Sequence, residues 1–272
     1  EQAGRCFIVT GANTGIGLGV ARVLAGKHAR VLLGCRDEAK AREAIATIRA
    51  DHPAAEVVHL PLDLADLDSV RRAADIAAAE PRIDVLVNNA GVMFPPLGHT
   101  KQGFELQWGV NHLGPFALTG LLLPKLAETP GSRVVVTSSL AHTGGNIQWD
   151  DLNAQRSYKK TARYCDSKLA NTLHFAELDR RLRAAGSPVS ALGCHPGMAD
   201  TDLMRHLPAV VGLFKPLARL FVGTGETGAW PALQAATDPG AQGGEYYGPG
   251  GAGGRRGPSG LAKRSAAAQD AG

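Results

Sequence analysis

The sequence predicts an α/β protein built on a doubly wound parallel sheet with helices on both faces. Short apolar runs without polar alternation recur along the chain, the pattern of strands covered on both sides. Segments with helical spacing separate those runs and give a βαβα succession. The 272 residues, 44% hydrophobic and 20% charged, suit one large core better than two small ones.

Residues 6–10 (Cys-Phe-Ile-Val-Thr) read as a short buried strand, and residues 16–27 have helical spacing. His28 follows where a helix end often places a left-handed glycine; a histidine there would cost up to about 1 kcal/mol and carry no function. Residues 30–35 are strand-like. Residues 38–50 form an alanine-rich helix with Ala41, Ile45 and Ile48 on one face. Further strands are expected at 56–60, 83–88, 133–138 and 189–194, with helices between. Two regions interrupt the rhythm: a polar insertion at 147–163, and an irregular stretch at 201–223 with Pro208 and Pro216 among apolar residues. The stretch from about 198 to 223 suits a lid over a ligand site and would equally suit a short packed helix pair. A single domain is expected over residues 1–248, followed by a Gly/Ala-rich, flexible tail over 249–272.

Composition narrows the possible partners. No run of about 18 apolar residues occurs, so no membrane span is expected, and residues 7–9 are too short for a signal-peptide core. Cys6, Cys35, Cys165 and Cys194 are scattered without a Cys-x-x-Cys. Reduced thiols, and hence a cytoplasmic location, fit better than disulfides or a metal site. The formal charge of +4 sits mainly in the tail, where Arg255, Arg256, Lys263 and Arg264 face Asp270 alone. The body is therefore near neutral, which argues against nucleic acid as a partner.

Thr10-Gly11-Ala12-Asn13-Thr14-Gly15-Ile16-Gly17 follows the first strand and opens the first helix. Gly11 permits the tight turn, Gly15 lets backbone approach a pyrophosphate, and Gly17 lets helix and strand pack closely. The helix N-terminus offers free N–H groups to phosphate. Gly11, Asn13, Thr14, Gly15, Ile16 and Gly17 are thus expected to hold a dinucleotide. After the second strand, a carboxylate would accept from the ribose 2′-hydroxyl of NAD, whereas an arginine pairs with the 2′-phosphate of NADP. Arg36 comes first and Asp37 suits a helix N-cap, so NADP(H) is expected, with NAD(H) as the alternative. Asp63 and Leu64 are placed at the adenine edge. Asn89, Ala90 and Gly91 end the fourth strand where small residues admit a cofactor; Asn89 would equally bridge strand ends.

Tyr164 and Lys168, at i and i+4, share one helix face. An ammonium beside a phenol favours the phenolate and is expected to lower its pKa, preparing it for proton transfer to or from a substrate oxygen. Phe94, Leu140, Met198 and Phe214 are candidates for an apolar substrate pocket and equally for ordinary core. His112, His142 and His195 adjoin motifs at no metal-ligand spacing, so structural roles and no metal are expected. No Gly-x-Ser-x-Gly surrounds Ser139, which argues against a hydrolase.

The order Thr-Gly-x-x-x-Gly-x-Gly, Asn-Asn-Ala-Gly, Ser-Ser, Tyr-x-x-x-Lys, Pro-Gly resembles the short-chain dehydrogenase/reductase family over residues 4–248. Finer stretches, including Cys35-Arg36-Asp37, Val110-Asn111-His112-Leu113-Gly114 and Tyr164-Cys165-Asp166-Ser167-Lys168, resemble its retinol dehydrogenase and protochlorophyllide reductase-like branch. The resemblance implies a Rossmann-type fold, NADPH, and hydride transfer between nicotinamide and a carbonyl or alcohol. It implies Tyr164 as acid and base, Lys168 as its tuner and ribose ligand, Ser139 on the substrate oxygen, and Asn111, in the fourth helix, holding a water linked to Lys168. Ser138 would pack or bond backbone. Pro196, Gly197 and Met198 would border the nicotinamide, with Thr201 at its carboxamide. The small-molecule substrate would be a hydrophobic aldehyde or ketone, and the protein a homodimer or homotetramer. The insertion at 147–163, which separates Ser139 from Tyr164, is a feature of that branch. A non-catalytic NADP-binding sensor or scaffold, and a reductase of a ring C=C bond, are the competing readings.

Overall fold

The computed structural model describes residues 1–197 and 225–269. Eight strands form one sheet in the order β3-β2-β1-β4-β5-β6-β7-β8. They are β1 (Cys6–Thr10), β2 (Arg30–Cys35), β3 (Glu56–Pro61), β4 (Val85–Asn88), β5 (Arg133–Thr137), β6 (Ser190–Cys194), β7 (Tyr246–Pro249) and β8 (Ser259–Leu261). The first seven are parallel and β8 pairs antiparallel with β7. The order reverses between β1 and β4, and it is outside the carboxyl ends at such a point that doubly wound sheets bind ligands.

Alternation along each strand divides the core. Phe7, Val9, Val31, Leu33, Val85 and Val87 face one layer, which includes α1 (Gly15–Gly26), α2 (Glu38–Asp51) and α7 (Gly225–Thr237). Ile8, Leu32, Leu86, Val134 and Val136 face the other, with α3 (Leu67–Ala78), α5 (Gly114–Ala127) and α6 (Lys160–Ala184). Both faces are buried, which is why the strand sequences lack polar alternation. Asp37 caps α2 by accepting from Lys40 N–H at 3.0 Å, and Asp66 caps α3 by accepting from Asp68 N–H at 2.9 Å. His28 has φ +65°, as its place after α1 predicts.

Two expectations are corrected. Asn111 is not in a regular helix: α4 (Leu106–Trp108) passes into a π-helical turn, Gly109–Leu113, before α5. Such turns recur at functional sites because they rotate a side chain off the regular face. The segment expected to be a flexible tail instead completes the sheet. Tyr247 pairs with Leu261, and Ala262 N–H donates to Tyr246 O at 2.7 Å. Ala268 is buried with Trp108, Leu169 and Ala170. Backbone pairing needs no apolar periodicity, so Gly/Pro/Ala composition concealed it. The stretch at 198–223 expected as a lid or a packed helix pair, with Met198, Thr201 and Phe214, lies outside the described residues.

Candidate active site

The floor of the site is the carboxyl ends of β1 and β4. Gly11 and Gly15 take φ +67° and +56°, a region that favours glycine. A Cβ on Gly11 would lie 2.9 Å from Ala90 Cα, and one on Gly17 would collide with Gly11 O and the Asn89 amide. Thr10 joins the strand ends: its Oγ1 accepts from the N–H groups of Asn89 and Ala90 at 2.9 and 3.0 Å. Asn89 Nδ2 donates back to Thr10 O at 2.9 Å, so Asn89 takes the bridging role. The result is a cradle walled by backbone and small residues, in keeping with a pyrophosphate at a helix N-terminus. Beside it a cavity of about 460 Å³ is lined by residues that include Asn13, Thr14, Leu18 and Lys40. Ile16 packs partly buried against the core.

Arg36 is exposed and Asp37 is engaged as the cap of α2. Asp63 and Leu64 turn the chain toward α3. Asp63 Oδ1 accepts from Ala65 N–H at 2.9 Å, and Leu64 is buried with its carbonyl against Gly114.

α6 presents Tyr164, Lys168 and Asn171, all buried. Lys168 Nζ donates to Thr137 O at 3.2 Å and lies 5.8 Å from the Tyr164 ring centroid. Contrary to expectation, the phenol's pKa is not lowered. Burial pushes Tyr164 up to about 12, opposed by its hydrogen bond with Ser139, and burial pushes Lys168 down to about 8. Desolvation dominates both groups, and the ammonium donates to the Thr137 carbonyl.

Ser139 precedes the 3₁₀ turn Leu140–Gly144, its Oγ accepting from Ala141 N–H at 3.2 Å. Ser138 Oγ donates to Lys168 O at 2.8 Å, the backbone role expected of it. Asn111 anchors the loop after β4: Oδ1 accepts from Val92 N–H at 2.7 Å, and Nδ2 donates to Val92 O and Ser167 Oγ, both at 3.0 Å. A Cβ on Gly91 would sit 3.1 Å from Asn111 Oδ1 and 3.6 Å from Lys168 Nζ; the three meet beneath the cradle.

The histidines take structural positions. His142 Nε2 accepts from Ser265 N–H at 3.2 Å, which leaves Nδ1–H to donate to Ser139 O at 2.6 Å. His195 Nδ1 accepts from Gly197 N–H at 3.2 Å, and burial pushes its pKa down to about 4. Gly197 has φ +71° and lies against the Arg255 carbonyl, while Leu140 packs near Gly254. The tail thus adjoins both Ser139 and the Pro196-Gly197 turn. Phe94, with φ +57°, sets its ring edge-to-face on Tyr164 at 5.3 Å. A cavity of about 580 Å³ opens beside it.

Gln107 and Tyr158 escaped the sequence reading, and Thr10, Ser167 and Asn171 stood in or beside its motifs without an assigned role. Asn171 lies three residues after Lys168 on the same helix face; its Nδ2 donates to Asn111 O at 2.9 Å and Thr137 O at 3.3 Å. Among the described residues there is no cluster of metal-ligating side chains, and no helix is long and apolar enough to cross a membrane.

A small-residue cradle at the sheet's reversal point, joined to a buried Tyr–Lys pair with half-buried Ser139 beside it, marks an oxidoreductase. Residues 5–210 match the short chain dehydrogenase family, and the chain belongs to it, as an enzyme acting on alcohol or carbonyl groups with a nicotinamide cofactor. Within the family it falls in the retinol dehydrogenase-like branch. It is 47% identical to human retinol dehydrogenase 13 over 240 residues, 86% of this chain and 72% of that protein. It is 42% identical to human retinol dehydrogenase 14, covering 90% and 78%. The fold matches an uncharacterized protein from Mycobacterium Paratuberculosis at TM-score 0.82 and 42% identity, over 99% of this chain and 88% of that one. It also matches RhlG from Pseudomonas aeruginosa, an NADP active-site complex, at TM-score 0.70 and 26% identity, covering 90% and 94%.

Proposed function

We propose that the protein is an NADPH-dependent reductase of aldehydes or ketones with hydrophobic bodies, reversible toward the corresponding alcohols. The burial of Tyr164 and Lys168 beside the cradle, with half-buried Ser139 hydrogen-bonded to the Tyr164 phenol, supports this reading. A bound nicotinamide cofactor supplies or accepts the hydride. Tyr164, protonated at neutral pH, donates its proton to the substrate oxygen during reduction and must first lose it, against the opposition of burial, to act as base in oxidation. Ser139 offers a second O–H to the same oxygen, stabilising the alkoxide charge that develops there. Lys168 and Tyr164 would hold the nicotinamide ribose, Pro196, Gly197 and Thr201 would border the nicotinamide, and Asn111 would place a water near Lys168.

For the cofactor, Arg36 is offered to a 2′-phosphate while Asp37 is occupied as a helix cap, and Lys40 adds positive charge at the adjoining cavity. Gly11, Asn13, Thr14, Gly15, Ile16 and Gly17 would hold the phosphates, with Asp63, Leu64, Ala90 and Gly91 along the adenosine side and Asn89 bracing them. Phe94 and Leu140, with Met198 and Phe214, would contact the substrate body. The retinol dehydrogenase relatives, named for an apolar alcohol, agree with that class. All four cysteines are free, which suits a reducing compartment such as the cytoplasm.

A screen of NADPH and NADH oxidation over aldehydes and ketones tests the proposal. Tyr164→Phe is expected to lower kcat about 10²–10⁴-fold, and full activity in that variant would overturn the mechanism. Arg36→Ala is expected to weaken NADPH binding about 10–100-fold while leaving NADH binding nearly unchanged; a wild-type preference for NADH would overturn the cofactor assignment.

A further inference from the structure

Phe94 is held in a left-handed backbone that aromatic residues rarely adopt. What holds it is a closed set of hydrogen bonds. Phe94 N–H donates to Gln107 Oε1 at 3.0 Å. Gln107, fully buried, donates through Nε2 to Lys160 O at 2.9 Å and to Tyr158 Oη at 3.3 Å. Tyr158 in turn donates its O–H to Pro95 O at 2.7 Å. The network fixes the Gln107 amide, since turning it over would set its NH₂ against the Phe94 N–H.

These bonds connect elements far apart in the chain. Gln107 lies in α4, Phe94 and Pro95 in the loop after β4, and Tyr158 in the insertion before α6. The insertion has its own anchor: buried Arg163 donates to Asp151 Oδ2 at 2.8 Å and to Ser157 O at 3.1 Å. Between the two clamped segments lies the cavity of about 580 Å³, with Phe94, Pro95, Pro96 and Leu97 on one side and Tyr158 and Thr161 on the other. Phe94 is the member of that wall whose ring also contacts Tyr164.

We propose that Gln107 and Tyr158 are positioning residues that lock Phe94 against Tyr164, and that Phe94 so held determines specificity by gauging the apolar body of the substrate. This rests on reading Tyr164 as the proton donor. The insertion is then a working part of the site: it supplies the hydroxyl that ties the Phe94–Pro95 loop in place. A purely structural clamp would change stability but treat all substrates alike.

The test uses butanal and decanal as probes, with NADPH, in the 272-residue chain. Tyr158→Phe keeps the ring and removes both hydrogen bonds. It is expected to lower the ratio of kcat/KM for decanal over butanal about fivefold, through the KM of decanal rather than kcat. Phe94→Gly relieves the left-handed backbone while deleting the wall. It is expected to lower the same ratio without lowering the unfolding midpoint, and NADPH titration by fluorescence confirms that each variant is folded. An unchanged ratio in both folded variants overturns the inference. Tyr164→Phe separates the two levels: if it abolishes reduction of both aldehydes while the ratio in the other variants stays constant, the inference alone fails. If Tyr164→Phe retains activity, or the wild-type protein reduces neither aldehyde, the underlying reading fails and the inference with it.

Discussion

The role proposed for Lys168 sets function against stability. Its ammonium is buried, with Thr137 O as its hydrogen-bond acceptor, and burial moves its pKa from 10.5 to about 8. The folded state therefore holds this proton less tightly than the unfolded chain. The penalty is fully present below pH 8 and is relieved as pH rises from 8 to 10.5, roughly 3 kcal/mol at neutral pH. Lys168→Met is expected to abolish reduction yet stabilise the fold, because Thr137 O keeps Asn171 as a donor. Urea denaturation at pH 7 and pH 10 checks this: the variant's advantage should be large at the first pH and small at the second. The raised pKa of Tyr164 gives the same kind of direction for the reaction. In the proposed mechanism reduction uses the protonated phenol, so alcohol oxidation should be the direction that accelerates as pH rises above neutral.

At the scale of elements, the C-terminal segment is the least expected contributor. β8 adds an antiparallel edge strand, and Ser265 N–H meets His142, which holds the Ser139 carbonyl. Deleting residues 259–272 is expected to lower Tm and to reduce kcat/KM about tenfold, since it would misplace Ser139, which in the proposed mechanism addresses the reacting oxygen. Ser265→Pro isolates the contact. Residue 265 has φ −63°, which proline adopts, so the main losses are the N–H donor and the hydroxyl that caps Ala268. It should reproduce much of the kinetic loss with a smaller loss of Tm. The elements β1 to β6 were legible in the sequence to within a residue or two, because two-sided burial writes itself as apolar runs. The β8 strand was not, because Ser259-Gly260-Leu261 pairs through backbone and leaves Leu261 exposed.

Across the whole molecule, the sheet and the site are coupled through packing. Gly193 in β6 stands where a Cβ would run into the Phe175 ring of α6, the helix that carries Tyr164 and Lys168. Gly193→Ala is expected to cost about 1–3 kcal/mol and to push α6 off the sheet. Calorimetry would show a lower Tm, and activity would fall although no residue facing the substrate has changed. The opposite arrangement holds at the cradle, where Gly17 and Gly11 let α1 and β1 close on Ala90 and Asn89. The proposed substrate and cofactor sites would therefore depend on how closely helices approach the sheet on both of its faces.

The sequence by itself determined the doubly wound sheet, the glycine turn and the spacing of Tyr164 and Lys168, since each is written in local periodicity or in the geometry of one turn. Only the tertiary structure decided which proton affinities that pair would have. Tyr-x-x-x-Lys says that a cation lies one turn from a phenol, but not that both are stripped of water and that the ammonium faces Thr137 O. It likewise decided that Asn111 would sit in a π turn, that Gln107 and Tyr158 would clamp Phe94, and that the glycine-rich end would reach Ser139. These contacts join residues distant in the chain, and the free energy that selects them is that of satisfying buried polar groups.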